Sequence, residues 1–91
     1  MNTNALIAHP ADSVVTVTAN IACGETIQYS LGGTVFSVAA ASDIPQYHKA
    51  AVKSVKKGEP VIKYGETIGI AKTDIRPGEH VHAQNLSSDG R

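Results

Sequence analysis

Six side chains in one stretch of this sequence have the chemistry of an active site. They are His48, Lys49, Lys63, His80, His82 and Asn85, all within residues 44–86. His80 and His82 are two apart. On a strand that spacing puts both imidazoles on one face, where they could ligate a metal or share proton transfer. Alternation alone does not separate this from a plain solvated strand face, and on spacing alone the plain reading stands first. His48 precedes a lysine-rich run and could serve as a base or a ligand. Lys49 and Lys63 could meet a carboxylate, although a solvated face accounts equally well for lysines. His9 follows a short apolar run and is given no role. Cys23 has no base near it in sequence, so a thiolate nucleophile is not expected.

No complete catalytic set is present. There is no glycine-rich phosphate loop ahead of a long helix and no recognisable carboxylate pair. If the chain belongs to an enzyme, it supplies part of a site.

The elements that must position these residues are short. Residues 4–9, 13–18, 26–31, 34–40, 60–64, 67–71 and 80–86 read as strands from their β-branched content and alternation. Gly32-Gly33 marks a hairpin. Residues 45–57 are expected to form one short helix of about three turns. Ser42 or Asp43 would cap it, Ile44, Tyr47, Ala51 and Val55 would form its buried stripe, and Gly58 would stop it. The lysines Lys49, Lys53, Lys56 and Lys57 would then lie on another face. Residues 87–91, SSDGR, read as a polar tail after a domain spanning 1–86. The pattern [Asn/Asp]-Ile-x-x-Gly-Glu occurs at 20–25 and again at 74–79, and Gly-Glu-Thr-Ile occurs at 24–27 and 65–68. Both echoes are expected to mark a repeated turn. The fold class is therefore mostly β, with one inserted helix.

Composition narrows the function classes. Ninety-one residues make one small domain that leaves much of its surface for a partner. Eight basic and eight acidic residues balance, so nucleic acid and anionic membranes are not favoured. There is no tryptophan and one phenylalanine, so base-stacking platforms are absent. A single cysteine, with no signal-peptide pattern and no spanning run, fits a cytoplasmic protein.

Residues 44–85 resemble a known family. The matching pieces are Ile44-Pro45-x-x-His48-Lys49, Gly58-Glu59-x-Val61-Ile62-Lys63-Tyr64-Gly65, Ile68-Gly69-x-Ala71, Asp74-Ile75 and Gly78-Glu79-His80-Val81-His82-x-x-Asn85. Together they look like the SAF domain of the altronate and galactarate dehydratases, and are similar to the small subunit of sulfolactate sulfo-lyase. The resemblance implies a β-clip fold and a hydro-lyase acting on sugar acids. It implies a larger domain or subunit that completes the site, with a divalent metal such as iron or manganese. Under it, His48, His80 and His82 are the expected catalytic residues, with His80 and His82 also the expected metal ligands. Lys49, Lys63 and Asn85 are expected to bind substrate. The chain would be inactive alone. Two positions depart from the family: Gln84 stands where a third strand histidine is common, and Tyr47 where a small residue is common. The alternative is a sugar-acid-binding, regulatory or docking module without chemistry.

Overall fold

The computed structural model describes residues 3–87 and contains strands, bridges and turns but no helix among them. A four-stranded antiparallel sheet lies at the centre. Its order is β1 (Ala5–Leu6), β2 (Val14–Val17), β5 (Lys49–Ala51), β8 (His80–Val81). Two smaller antiparallel sheets flank it. One is the hairpin of β3 (Thr26–Leu31) and β4 (Thr34–Ala39). The other has the order β6 (Pro60–Lys63), β7 (Glu66–Ala71), β9 (Leu86–Ser87).

The central sheet is buried on both faces, and alternation along β2 and β5 divides the core. Val15, Val17 and Ala50 pack with Ile21, Ile27 and Ile44 on one face. Val14, Ala51 and Val81 pack with Val55, Val61 and Ile75 on the other. This explains the consecutive apolar residues Val14-Val15 and Ala50-Ala51, which a half-exposed strand would not need.

The repeated turn occurs four times, not twice. Residues 20–25, 43–48, 54–59 and 74–79 each carry a bridge residue at their second position and lead directly into a strand. Ile21 bridges Ile44, and Val55 bridges Ile75. In every copy the fifth residue has a positive φ and donates its N–H to the end of another strand. Gly24 bonds Ala40, Tyr47 bonds Val17, Gly58 bonds Ala71 and Gly78 bonds Ala51. The strand end returns the bond to the sixth residue's carbonyl, from Ala40 to Glu25, Val17 to His48, Ala71 to Glu59 and Ala51 to Glu79.

The side chains of these turns follow the same logic. Glu25, Glu59 and Glu79 each accept the N–H three residues earlier, from Ala22, Lys56 and Arg76. The second copy has Pro45 there, which has no N–H to offer. The glutamate's task disappears, and position 48 is free to hold a histidine. Asn20, Asp43 and Asp74 accept N–H groups across each pair, from Gln46, Cys23 and Lys57. The fourth such donor would be residue 77, again a proline, and its counterpart is Ser54.

The expected helix at 45–57 is therefore replaced by two of these turns with β5 between them. Ile44, Ala51 and Val55 are buried as expected, but by bridges and a strand. Tyr47, assigned to the same stripe, is 72% exposed. The competition is not close. A helix of about three turns is marginal alone. Burying one Ile or Val side chain contributes about 1.5–3 kcal/mol, whereas helix propensities differ by tenths of that per residue. Gly58 stops no helix; it takes the left-handed corner of the third turn with φ 88°.

Two further readings are revised. The second Gly-Glu-Thr-Ile, at 65–68, is not the repeated turn. Tyr64 and Gly65, with φ 58° and 73°, form the two-residue corner of the β6–β7 hairpin, as Gly32-Gly33 does for β3–β4. The expected strand 80–86 breaks after Val81; a turn follows, and β9 begins at Leu86. Ser87, placed in the polar tail, pairs with Ile70. The rest of that tail, 88–91, lies outside the described residues. No helix of the described residues is long and apolar enough to cross a membrane.

Candidate functional site

Pairing between β5 and β8 assembles the three histidines. The register sets Lys49 opposite Val81 and Ala50 opposite His80. One step further places His48 opposite His82. All four of His48, Ala50, His80 and His82 thus fall on one face of the ladder. Ala50 is small, so the His80 ring can lean across it toward His48. The result is a packed trio. His48 Nδ1 lies 2.9 Å from His80 Nε2. Ring centroids are 5.0 Å apart for His48–His80, 4.8 Å for His48–His82 and 5.6 Å for His80–His82. The His80 and His82 rings are within 8° of parallel, although His82 already lies in the turn.

Asn85 holds that turn. Its Oδ1 accepts the His82 N–H at 3.0 Å, and its Nδ2 donates to the His80 carbonyl at 2.9 Å. At 6% exposure, Asn85 has both ends of its amide bonded to this backbone, and it also lines the cavity beside His80. Ser42 Oγ accepts the His80 N–H on the other side. Sequence reasoning gave Ser42 only a capping role on the absent helix. Gln84, the departure from the family pattern, reaches back to the His80 carbonyl.

The electrostatics favour neutral imidazole at His80. Burial, then the neighbouring His48, His82 and Lys49, hold its pKa below the ordinary 6.5. Neutral imidazole is the form that binds metals or accepts a proton.

The lysines are arranged differently from expectation. Lys49 alternates with His48 and so starts from the opposite face of the ladder, beside Thr16 and Val81. Burial, then the charge of Lys63, lower its pKa from 10.5. Lys63 is engaged locally: its Nζ donates to the Tyr64 hydroxyl at 3.1 Å and sits 4.4 Å from that ring's centroid. The two lysines neighbour each other, and Lys63 lines a hollow with Leu6, Thr16 and Tyr64 to which none of the three histidines contributes. A cavity of about 600 Å³ reaches the trio at His80. It is lined by Ser42, Thr73, Arg76, Glu79, His80 and Gln84, among others. Arg76 is the cation in it, and sequence reasoning passed it over. Its position in the fourth turn, three residues before a glutamate, was the available signal.

The trio suits a divalent ion. Its nitrogens lie within 4.8 Å of one another. Two imidazoles on one ion, each at about 2.0–2.1 Å, stand about 2.9 Å apart at a right angle and about 4.2 Å at most. The His48–His80 separation already meets this, and His82, the exposed member, needs a small swing. Three imidazoles suit iron or zinc better than manganese, which prefers oxygen ligands.

A small all-β domain with a histidine cluster open on one side is the class that fold and site define. Residues 3–89 match the altronate/galactarate dehydratase SAF domain, and the chain belongs to that family. It is 35% identical over 81 residues to altronate dehydratase of Bacillus subtilis (strain 168), and 38% identical over 81 residues to that of Escherichia coli (strain K12). Each match covers 89% of this chain and 16% of the relative. It is also 48% identical over 53 residues to (2R)-sulfolactate sulfo-lyase subunit alpha of Paracoccus pantotrophus, covering 58% of this chain and 79% of that subunit. The chain thus spans a small fraction of the dehydratases and most of the length of a sulfo-lyase subunit. The dehydratases extend far beyond the matched region, and the sulfo-lyase relative is by name one subunit of its enzyme.

Proposed function

We propose that this chain is the histidine-bearing part of a sugar-acid dehydratase, acting with a larger domain or subunit. The observation that carries the reading is the convergence of His48, His80 and His82 in a chain of this family. Dehydration removes a proton beside a carboxylate and expels a β-hydroxyl. An acid and a base must therefore stand on the same few ångströms of substrate. His80, kept neutral and facing the cavity, is suited to accept the proton or to ligate. His48, in contact with it, can pass a proton along the pair. His82, the exposed member, is suited to ligate or to donate to the departing hydroxyl. Arg76 lines the same cavity and is better placed than Lys63 for a bidentate grip on the substrate carboxylate. When bound, a divalent ion, iron by ligand preference, would be held by the trio and would stabilise charge developing on the carboxylate.

The sulfo-lyase is a second reading. Its alpha subunit is a separate chain matched over 79% of its length, and loss of sulfite from a sulfonated hydroxy acid makes the same demands on the site.

The test is reconstitution. The chain is purified alone and with the large dehydratase-like subunit or domain encoded with it, then supplied with iron or manganese. Both preparations are offered altronate, galactarate and (2R)-sulfolactate. Turnover by the assembly and none by the chain alone supports the reading. Turnover by the chain alone, or none by the assembly on any of the three, contradicts it.

A further inference from the structure

The second turn, residues 43–48, departs from its three sisters at adjacent positions. Its sixth residue is His48 where the others have glutamate, and its fifth is Tyr47 where the others have glycine. The backbone requires a left-handed corner in all four: φ is 91° at Gly24, 70° at Tyr47, 88° at Gly58 and 93° at Gly78. Glycine adopts this freely, whereas a side chain with a Cβ is strained there. The bond from Tyr47 N to Val17 O, with its return to His48, holds the strained corner as it holds the other three.

Among the described residues no side-chain partner inside the domain adds to that backbone support. Tyr47 is 72% exposed. Among the described residues its side chain has no hydrogen-bond, ring or charge partner. Tyr64, the other non-glycine residue with positive φ, differs on this point, because Lys63 lies against its ring and bonds its hydroxyl. Strain kept without an internal contact, one residue from a functional side chain, points outward to a ligand. The Cα atoms of Tyr47 and His48 are about 3.8 Å apart, well within the reach of a phenol.

We propose that Tyr47 is a specificity-determining residue that contacts the hydroxy acid bound at the histidine trio. A phenol offers a flat face for the C–H side of a polyol chain and a hydroxyl that can donate to or accept from its OH groups. The inference rests on the reading of the trio as the site where such an acid binds.

The test uses the assembled complex and three variants: Tyr47→Gly, Tyr47→Asn and Tyr47→Phe. Glycine and asparagine both suit the left-handed corner, so they remove the ring while relaxing the backbone. KM for altronate, galactarate or (2R)-sulfolactate, whichever is turned over, is expected to rise about tenfold or more in both, with kcat changing less. Phenylalanine keeps the ring and loses the hydroxyl, so its KM is expected to fall between those of the parent and Tyr47→Gly. A merely structural role gives the opposite result, because glycine is what the sister turns use. Unchanged KM in Tyr47→Gly, with turnover still abolished by His80→Ala, overturns the inference and leaves the site reading intact. If the parent complex turns over none of the acids, calorimetric binding of the same three acids replaces KM. No binding to the parent, or equal affinity in Tyr47→Gly, then overturns the inference.

Discussion

His48 Nδ1 and His80 Nε2 face each other at 2.9 Å, so one ring donates and the other accepts. The contact joins residues 32 apart in sequence through a two-residue strand pairing.

The first prediction concerns the metal-free protein in acid. The folded pKa of His80 is lowered by burial and by its neighbours. Between that value and the ordinary 6.5, the unfolded chain binds more protons than the folded one. Stability therefore rises with pH across this window and falls as pH drops from about 6.5 through the folded value. Denaturation midpoints over this range, in parent and His80→Ala, check it. The variant is expected to lose that part of the slope. An identical slope in both would show that His80 is not shifted in this direction.

A second acid window belongs to Asp12, which is fully buried. Burial would raise its pKa, but backbone N–H groups of Gly65, Tyr64, Ala8 and His9 outweigh that and hold it below 3.8. Its carboxylate ties the β6–β7 corner to the loop after β1, through Gly65 at 2.9 Å and His9 at 3.0 Å. A lowered carboxylate stabilises the fold above its unfolded pKa, and the contribution is lost as pH falls through the folded value. Asp12→Asn, which keeps one acceptor and turns an N–H group toward donors, is expected to cost about 2 kcal/mol at neutral pH. Urea denaturation of both proteins measures this. A cost near zero would mean these bonds contribute no net stability.

Much of the fold was legible because its signals are local. β2, β3, β4, β6 and β7 follow from β-branched runs and alternation, and Gly32-Gly33 from hairpin chemistry. The helix failed for an identifiable reason. Ile44, Ala51 and Val55 fit a helical period, but they are equally a bridge, a strand and a bridge spaced by two copies of one turn. Asp43-Ile44 and Ser54-Val55 resemble Asn20-Ile21 and Asp74-Ile75 once serine and valine are admitted. With that tolerance the repeat appears four times and leaves no room for a helix. The histidines were singled out by type and spacing. Their contact was not readable, because it depends on the β5–β8 register and on Ala50 being small. Asn85 was recognised as belonging to the site, but its bonds to the backbone of both histidines appear only in three dimensions.

The third prediction concerns that residue. Asn85→Ala takes the partner from the part-buried His82 N–H and leaves the His80 carbonyl to Gln84 alone, and is expected to cost about 1 kcal/mol. It should also free His82 from the His80 stack. Histidine ring resonances by NMR, read beside urea denaturation, check both effects. A destabilised variant with unchanged ring shifts would mean that Asn85 holds the turn without placing the imidazoles.

The central claim is that the three histidines form the part of an active site carried by this chain. The most direct measurement is turnover by the assembled complex with His80→Ala, beside the parent, at matched assembly and metal content. His80 is the member that touches His48, faces the cavity and stacks on His82. Its loss is expected to reduce kcat by about 10²-fold or more, the usual cost of removing an acid–base group, with the far-ultraviolet circular dichroism of the chain unchanged. Parent-level turnover in that variant would contradict the account and return the trio to an ornament of the β5–β8 ladder.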